Sequence, residues 1–309
     1  MSTGPKWYEV GAAEYRQMRQ DGKTPLPGAT HLDSAEDFSI PSRDPNRSIP
    51  CRILKPENGP VRGVYMHIHG GGWVLQDEKS QDPALQGIAN ATSVLAISIG
   101  YRLAPEHPFP AGPEDCYDAA EWLVDNCQST FNAPLMFAGG ESAGAHLTML
   151  AVLHLLQSSN SKYSSFDFKG LLQHYGCYDL SWTPRVYTFK RNPCLVLDKD
   201  LMDHFLEVFL PGMSVEEKKH PSVSPLYADL EALRGRLPSA LYTCGTEDCL
   251  LDDTVFMSSK WLMAGAEAVV KIVPGACHGY IIFPRDATGS GAEEGMSAVE
   301  EYIKTKIGQ

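Results

Sequence analysis

Short apolar runs, partly β-branched, recur at residues 51–54, 63–69, 94–99, 135–138, 170–174, 239–243 and 268–273. Between them lie longer stretches whose apolar positions repeat with helical spacing, at 83–91, 113–127, 143–157, 252–264 and about 292–307. Strands of this length alternating with helices predict a mainly parallel sheet covered by helices on both faces. Pro113-Glu114-Asp115 makes a good helix start, since proline fits the first turn and acids favour the positive end of the dipole. The stretch after Ser142 differs: Leu147, Met149, Leu150, Val152, Leu153, Leu155 and Leu156 leave it almost no polar face, which predicts a buried central helix.

Two segments break the alternation. Residues 1–48 hold an amphipathic stretch around 7–20 and then Pro25, Pro27, Pro41 and Pro45. Residues 181–235 are rich in aromatics and proline, with a helix expected near 199–210. We expect both, about 1–48 and 181–235, to form a cap over the strand ends of one domain spanning 1–309.

A hydrophobic content of 43% with 21% charged residues fits a packed globular chain and excludes extended disorder as the main state. Thirty-eight acids against 26 bases give a net charge of −12, which argues against nucleic acid and anionic membrane surfaces as partners. No run is apolar enough for a membrane span, and the first twenty residues lack an apolar signal segment, so a cytoplasmic location is expected. Eight cysteines are scattered without a CxxC pair or a disulfide framework and read as reduced core residues.

Candidate chemistry starts at Gly140-Glu141-Ser142-Ala143-Gly144, between the run 135–138 and the apolar helix. Glycines two residues either side of a serine permit a cramped strand-to-helix turn that holds the hydroxyl out, with the helix N-terminus beneath it. A serine hydroxyl needs a neutral imidazole as base and a carboxylate to orient that imidazole. His278 follows the last strand-like run in Pro274-Gly275-Ala276-Cys277-His278, and Thr246-Glu247-Asp248 follows another, so both lie where strand ends supply ligand-binding loops. His146 competes as base and Glu247 as acid; His278 and Asp248 are preferred. The loop His69-Gly70-Gly71-Gly72-Trp73 offers backbone N–H groups. Those of Gly71 and Gly72, with that of Ala143, can hold the oxyanion of a tetrahedral intermediate.

Other readings of the same residues are weaker. GxSxG alone can be a plain tight turn and a glycine triplet a plain loop. His67 with His69 suggests a metal pair, but further ligands at suitable spacing are missing. The glycines match neither GxGxxG nor GxxxxGK, and Cys277 beside His278 is a poor thiol nucleophile because sequence neighbours point apart.

From about residue 60 onward the chain resembles the hormone-sensitive-lipase-like branch of the α/β-hydrolases. The resemblance rests on His69-Gly70-Gly71-Gly72-Trp73, on Tyr101-Arg102-Leu103-Ala104-Pro105-Glu106-His107-Pro108-Phe109-Pro110-Ala111, on Gly140 to Gly144, and on Asp248 and His278. It implies an α/β-hydrolase fold with an eight-stranded sheet and a helical cap. It also implies hydrolysis of small carboxylic esters through an acyl-enzyme, with Ser142 as nucleophile, Asp248 as acid, His278 as base, and Gly71, Gly72 and Ala143 as oxyanion donors. Glu141 stands where the family commonly has aspartate and Ala145 where a further glycine is usual; neither change removes a reacting group. No cofactor or metal is required. The same triad also serves amidases, lactonases and acyltransferases. A non-catalytic receptor, as in the plant gibberellin receptors that resemble this family, would lack the histidine that this chain keeps. A neutral imidazole base predicts activity that falls as pH drops through about 6–7.

Overall fold

The computed structural model describes residues 4–25, 28–191 and 194–308. Pro27, together with the parts of the expected cap and domain at 1–3, 26–27, 192–193 and 309, lies outside the described residues. Eight strands form one sheet: β1 (Glu36–Pro41), β2 (Ser48–Leu54), β3 (Gly63–Ile68), β4 (Val94–Ile99), β5 (Leu135–Glu141), β6 (Gly170–His174), β7 (Ala240–Glu247) and β8 (Ala268–Cys277). Their order is β1-β2-β4-β3-β5-β6-β7-β8. β1 and β2 pair antiparallel, as do β2 and β4, and every pair from β4 to β8 is parallel. All six residues of β3 and all six of β4 are buried, which is why these central strands read as unbroken apolar runs.

The helices are α1 (Trp7–Val10), α2 (Ala12–Gln20), α3 (Asp82–Thr92), α4 (Ala111–Phe131), α5 (Ala143–Leu156), α6 (Ser161–Ser164), α7 (Pro184–Thr188), α8 (Lys199–Phe209), α9 (Val215–Lys218), α10 (Leu251–Met263) and α11 (Ala292–Gly308). Leu85 and Ile88 of α3 share one core with Val299 and Ile303 of α11, while α4, α5 and α10 bury their apolar sides in the other, so both faces of the sheet are covered. Every residue of α5 except His154 is buried, as its all-round apolar sequence requires. No described helix is long and apolar enough to cross a membrane.

Three features differ from the sequence expectations. Residues 36–41, within the segment expected as cap, form the edge strand β1; only Ile40 of its six residues is buried, so its pattern carried no apolar signal. The helix expected over 7–20 is interrupted at Gly11, whose φ of +94° breaks it into α1 and α2. Strands β5, β7 and β8 run past their apolar stretches, to Glu141, Glu247 and Cys277, because backbone pairing continues there, as in Glu141 with His174 and Glu247 with Cys277. Those extensions deliver the chain directly to Ser142, Asp248 and His278.

Over the strand ends, α1 docks on α8. Trp7 stacks on Phe205 at 5.1 Å, Tyr8 stacks on His204 at 3.6 Å, and the Tyr8 hydroxyl donates to Asp200 at 2.7 Å. A cavity of about 1510 Å³ lies beneath, with Ser142 and His278 in its wall.

Candidate active site

Ser142 sits between β5 and α5 with φ +56° and ψ −120°, a conformation an L-residue holds only where its surroundings enforce it. The surroundings are tight. A Cβ at Gly140 or at Gly144 would overlap the carbonyl oxygen of Ile68, the last residue of β3, so glycine at both positions lets the serine turn press against the neighbouring strand. The Ser142 N–H donates to the His174 carbonyl at 2.9 Å, which ties the turn to β6 on its other side.

The three residues expected to form the triad meet. His278 Nε2 lies 2.9 Å from the Ser142 hydroxyl, and His278 Nδ1 lies 2.8 Å from Asp248 Oδ2. Asp248 is buried and its second oxygen accepts the Leu250 N–H at 2.9 Å, which leaves the first aimed at the imidazole. Tyr175 packs edge-on against the His278 ring at 4.8 Å. From α7, Arg185 donates to the carbonyls of Asp248 at 2.7 Å and Thr246 at 2.6 Å and braces the loop that carries the acid.

The competing residues are engaged elsewhere. Glu247 pairs with Arg191. His146 accepts from Trp73 Nε1 at 3.1 Å and its Nε2–H donates to the Val223 carbonyl at 2.7 Å; burial lowers its pKa to about 4. The Cys277 thiol is pushed up by burial and stays protonated, a poor nucleophile. His67 and His69 do not converge: His67 bonds Ser98 at 3.0 Å and Glu141 at 2.8 Å, whereas His69 donates to the Gly70 carbonyl and stacks on Tyr101. Among the described residues no group of three or more His, Cys, Asp or Glu is placed to hold a metal ion.

Gly71 and Gly72 adopt φ of +100° and +62°, and among the described residues neither of their N–H groups, nor that of Ala143 at the start of α5, is paired with an acceptor. The loop lies against the serine, since a Cβ on Gly70 would stand 3.4 Å from the Ser142 Cβ. One buried carboxylate, unanticipated from sequence, joins the two motifs. Glu141 Oε1 accepts the Gly70 N–H at 2.9 Å and Gln81 Nε2 at 3.1 Å, while Oε2 meets His67. Burial pushes the Glu141 carboxyl up, but the His67 charge, their hydrogen bond and the Gly70 N–H together hold it below its ordinary value. The signals for this network were present as a histidine inside an apolar strand and an acid beside the serine. Nothing in their spacing showed that the two side chains meet.

Comparisons with known proteins bear on the family and the fold. A family model described as alpha/beta hydrolase fold matches residues 65–282. The carboxylesterase NlhH of Mycobacterium tuberculosis is 30% identical over 297 residues, covering 92% of this chain and 87% of that protein. The hormone-sensitive lipase of Bos taurus is 38% identical over 117 residues, 37% of this chain and 15% of its own length. Among solved structures, the hyperthermophilic esterase from the archaeon Pyrobaculum calidifontis superposes with a TM-score of 0.81 at 26% identity, covering 96% of this chain and 94% of that one. An elbow serine and a glycine-rich N–H loop thus come with family-wide sequence and structural likeness, and the chain belongs to the alpha/beta hydrolase fold family, in its hormone-sensitive-lipase-like branch.

Proposed function

We propose that this chain is a serine hydrolase that cleaves carboxylic esters of small molecules through an acyl-enzyme. The reading rests on the continuous relay from Asp248 through His278 to the Ser142 hydroxyl, at 2.8 and 2.9 Å, facing N–H groups that have no acceptor among the described residues. Ser142 attacks the acyl carbonyl as His278 Nε2 takes its proton, and Asp248 stabilises the imidazolium and fixes its tautomer. Gly71, Gly72 and Ala143 donate to the oxyanion, with the N-terminus of α5 adding positive potential. His278 then protonates the departing alcohol, and water activated by the same imidazole releases the acid. In this reading residues 1–309 form one catalytic domain, and the helices over the strand ends act as its cap. A cytoplasmic location is part of the proposal, supported by cysteine spacing that forms no disulfide framework.

Hydrolysis of 4-nitrophenyl esters from acetate to decanoate, followed for the wild type and Ser142→Ala, tests the assignment. The variant is expected to lose at least about 10⁴-fold in kcat. Equal activity in both proteins overturns it.

A further inference from the structure

Among the described residues four Lys and Arg side chains line the cavity above Ser142: Lys6, Arg16, Arg19 and Arg285. Three are neutralised. Lys6 pairs with Asp200 at 3.4 Å. Arg16 forks onto Glu106 with two bonds of 2.9 Å and gives two further N–H groups to the Val74 and Ala104 carbonyls. Arg285 is held by Glu293 and Glu300.

Arg19, on α2, is half-buried, and among the described residues its guanidinium has no hydrogen bond and no ion pair. Asp77 acts on it electrostatically without an ion-pair contact, and Asp77 Oδ1 is already taken by the Ser80 hydroxyl at 2.7 Å and the Lys79 N–H at 3.1 Å. A partly desolvated cation without a partner is costly, and acids are in surplus here, 38 against 26 bases. The planar fork of an arginine matches a carboxylate with two parallel hydrogen bonds. Tyr15 and Asp77 act on Arg19, and Gln76 and Asp77, on the loop that follows the glycine triplet, make part of the cavity wall polar, whereas Trp7, Leu201, Met202 and Phe205 make another part apolar.

Resting on the esterase reading above, we propose that the substrate is an ester carrying an ionised carboxylate, which Arg19 binds while the apolar part of the molecule lies against the Trp7 and Phe205 side of the cavity. The carboxylate replaces the water that otherwise solvates the guanidinium, so the charge contributes to substrate binding rather than to the chemical step.

Matched ester pairs test this and find which half of the substrate bears the charge. On the acyl side, mono-4-nitrophenyl succinate is compared with 4-nitrophenyl butyrate. On the alcohol side, the butyrate ester of 4-hydroxybenzoate is compared with that of 4-hydroxybenzamide. The ratio of charged to neutral kcat/KM, measured within each protein, cancels differences in folded fraction. In the wild type at least one ratio is expected to exceed unity by about tenfold, the typical worth of a hydrogen bond to a charged group, and to shrink with added salt. In Arg19→Gln that ratio falls to near one, and in Arg19→Lys it is partly retained. Asp77→Asn, which removes the neighbouring negative charge, raises it. Hydrolysis of the neutral esters with no charge preference in either pair, or a preference that survives Arg19→Gln, overturns this proposal and leaves the esterase reading standing. Failure to hydrolyse any of the four esters overturns both.

Discussion

Glu141 is the residue whose replacement most directly tests how the site is held together. Its carboxylate collects three buried donors from three separate elements: the Gly70 N–H, Gln81 Nε2 and the ring of His67. Glu141→Ala removes the acceptor of the Gly70 N–H and of the His67 ring and one of the two acceptors of Gln81 Nε2, all at buried residues. A buried donor left unsatisfied costs about 1–3 kcal/mol, and the unpaired Gly70 N–H frees the root of the loop that carries Gly71 and Gly72. Misplacing one donor of an oxyanion site slows turnover by up to about 10²–10³, so the looser loop is expected to lower kcat some 10- to 100-fold while KM changes little. Glu141→Gln separates charge from geometry. Its carbonyl oxygen still accepts from Gly70 and Gln81, and its amide donates to His67 once that ring carries its proton on Nδ1 toward Ser98. This variant is expected to stay within about 1–2 kcal/mol of the wild type and within about tenfold of its kcat. Urea unfolding with steady-state kinetics on 4-nitrophenyl butyrate measures both effects. A folded Glu141→Ala enzyme with wild-type kcat refutes the idea that this carboxylate positions the loop.

Gly72→Ala places a methyl carbon 2.5 Å from the Phe205 ring at a residue with φ of +62°, so the loop must shift; kcat is expected to drop about 10²-fold, and an unchanged kcat contradicts the role given to the Gly72 N–H. Burial lowers the pKa of His146 and of His174 from 6.5 to about 4. The unfolded chain therefore takes up their protons first, and the stability tied to their neutral forms is intact above about 6.5 and lost as pH falls toward 4. Thermal unfolding followed by circular dichroism at pH 7.5, 6 and 4.5 is expected to give a steadily falling Tm, with a shallower decline in His174→Asn; a Tm independent of pH across this range contradicts the burial argument.

The buried strands were legible because β3 and β4 are apolar at every position, and α5 because its apolar residues leave no polar face. Ser142, Asp248 and His278 were legible because each follows a strand-like run on a loop rich in glycine or acids. β1 was hidden, since an edge strand held by backbone bonds to β2 needs little apolar surface of its own. The Glu141 network was hidden for another reason. Which face of a strand a histidine uses, and which acid waits there, depends on register between β3 and β5, a long-range property that local pattern does not encode. Arg185 bracing the acid's loop has the same origin, joining residues about sixty positions apart through a segment whose local sequence only suggested a cap.

The strand order divides the machinery unevenly. In the proposed mechanism the serine and the amide cradle hang on β5 and β3, each flanked on both sides, whereas the imidazole hangs on β8, which borders solvent and leaves Val269 and Val270 exposed. Peeling that rim strand would part His278 from Ser142 with most of the protein still intact, because β8 has a neighbouring strand on one side alone. Catalytic competence is therefore a readout of the margin, and heat or denaturant should silence the enzyme before it melts the interior.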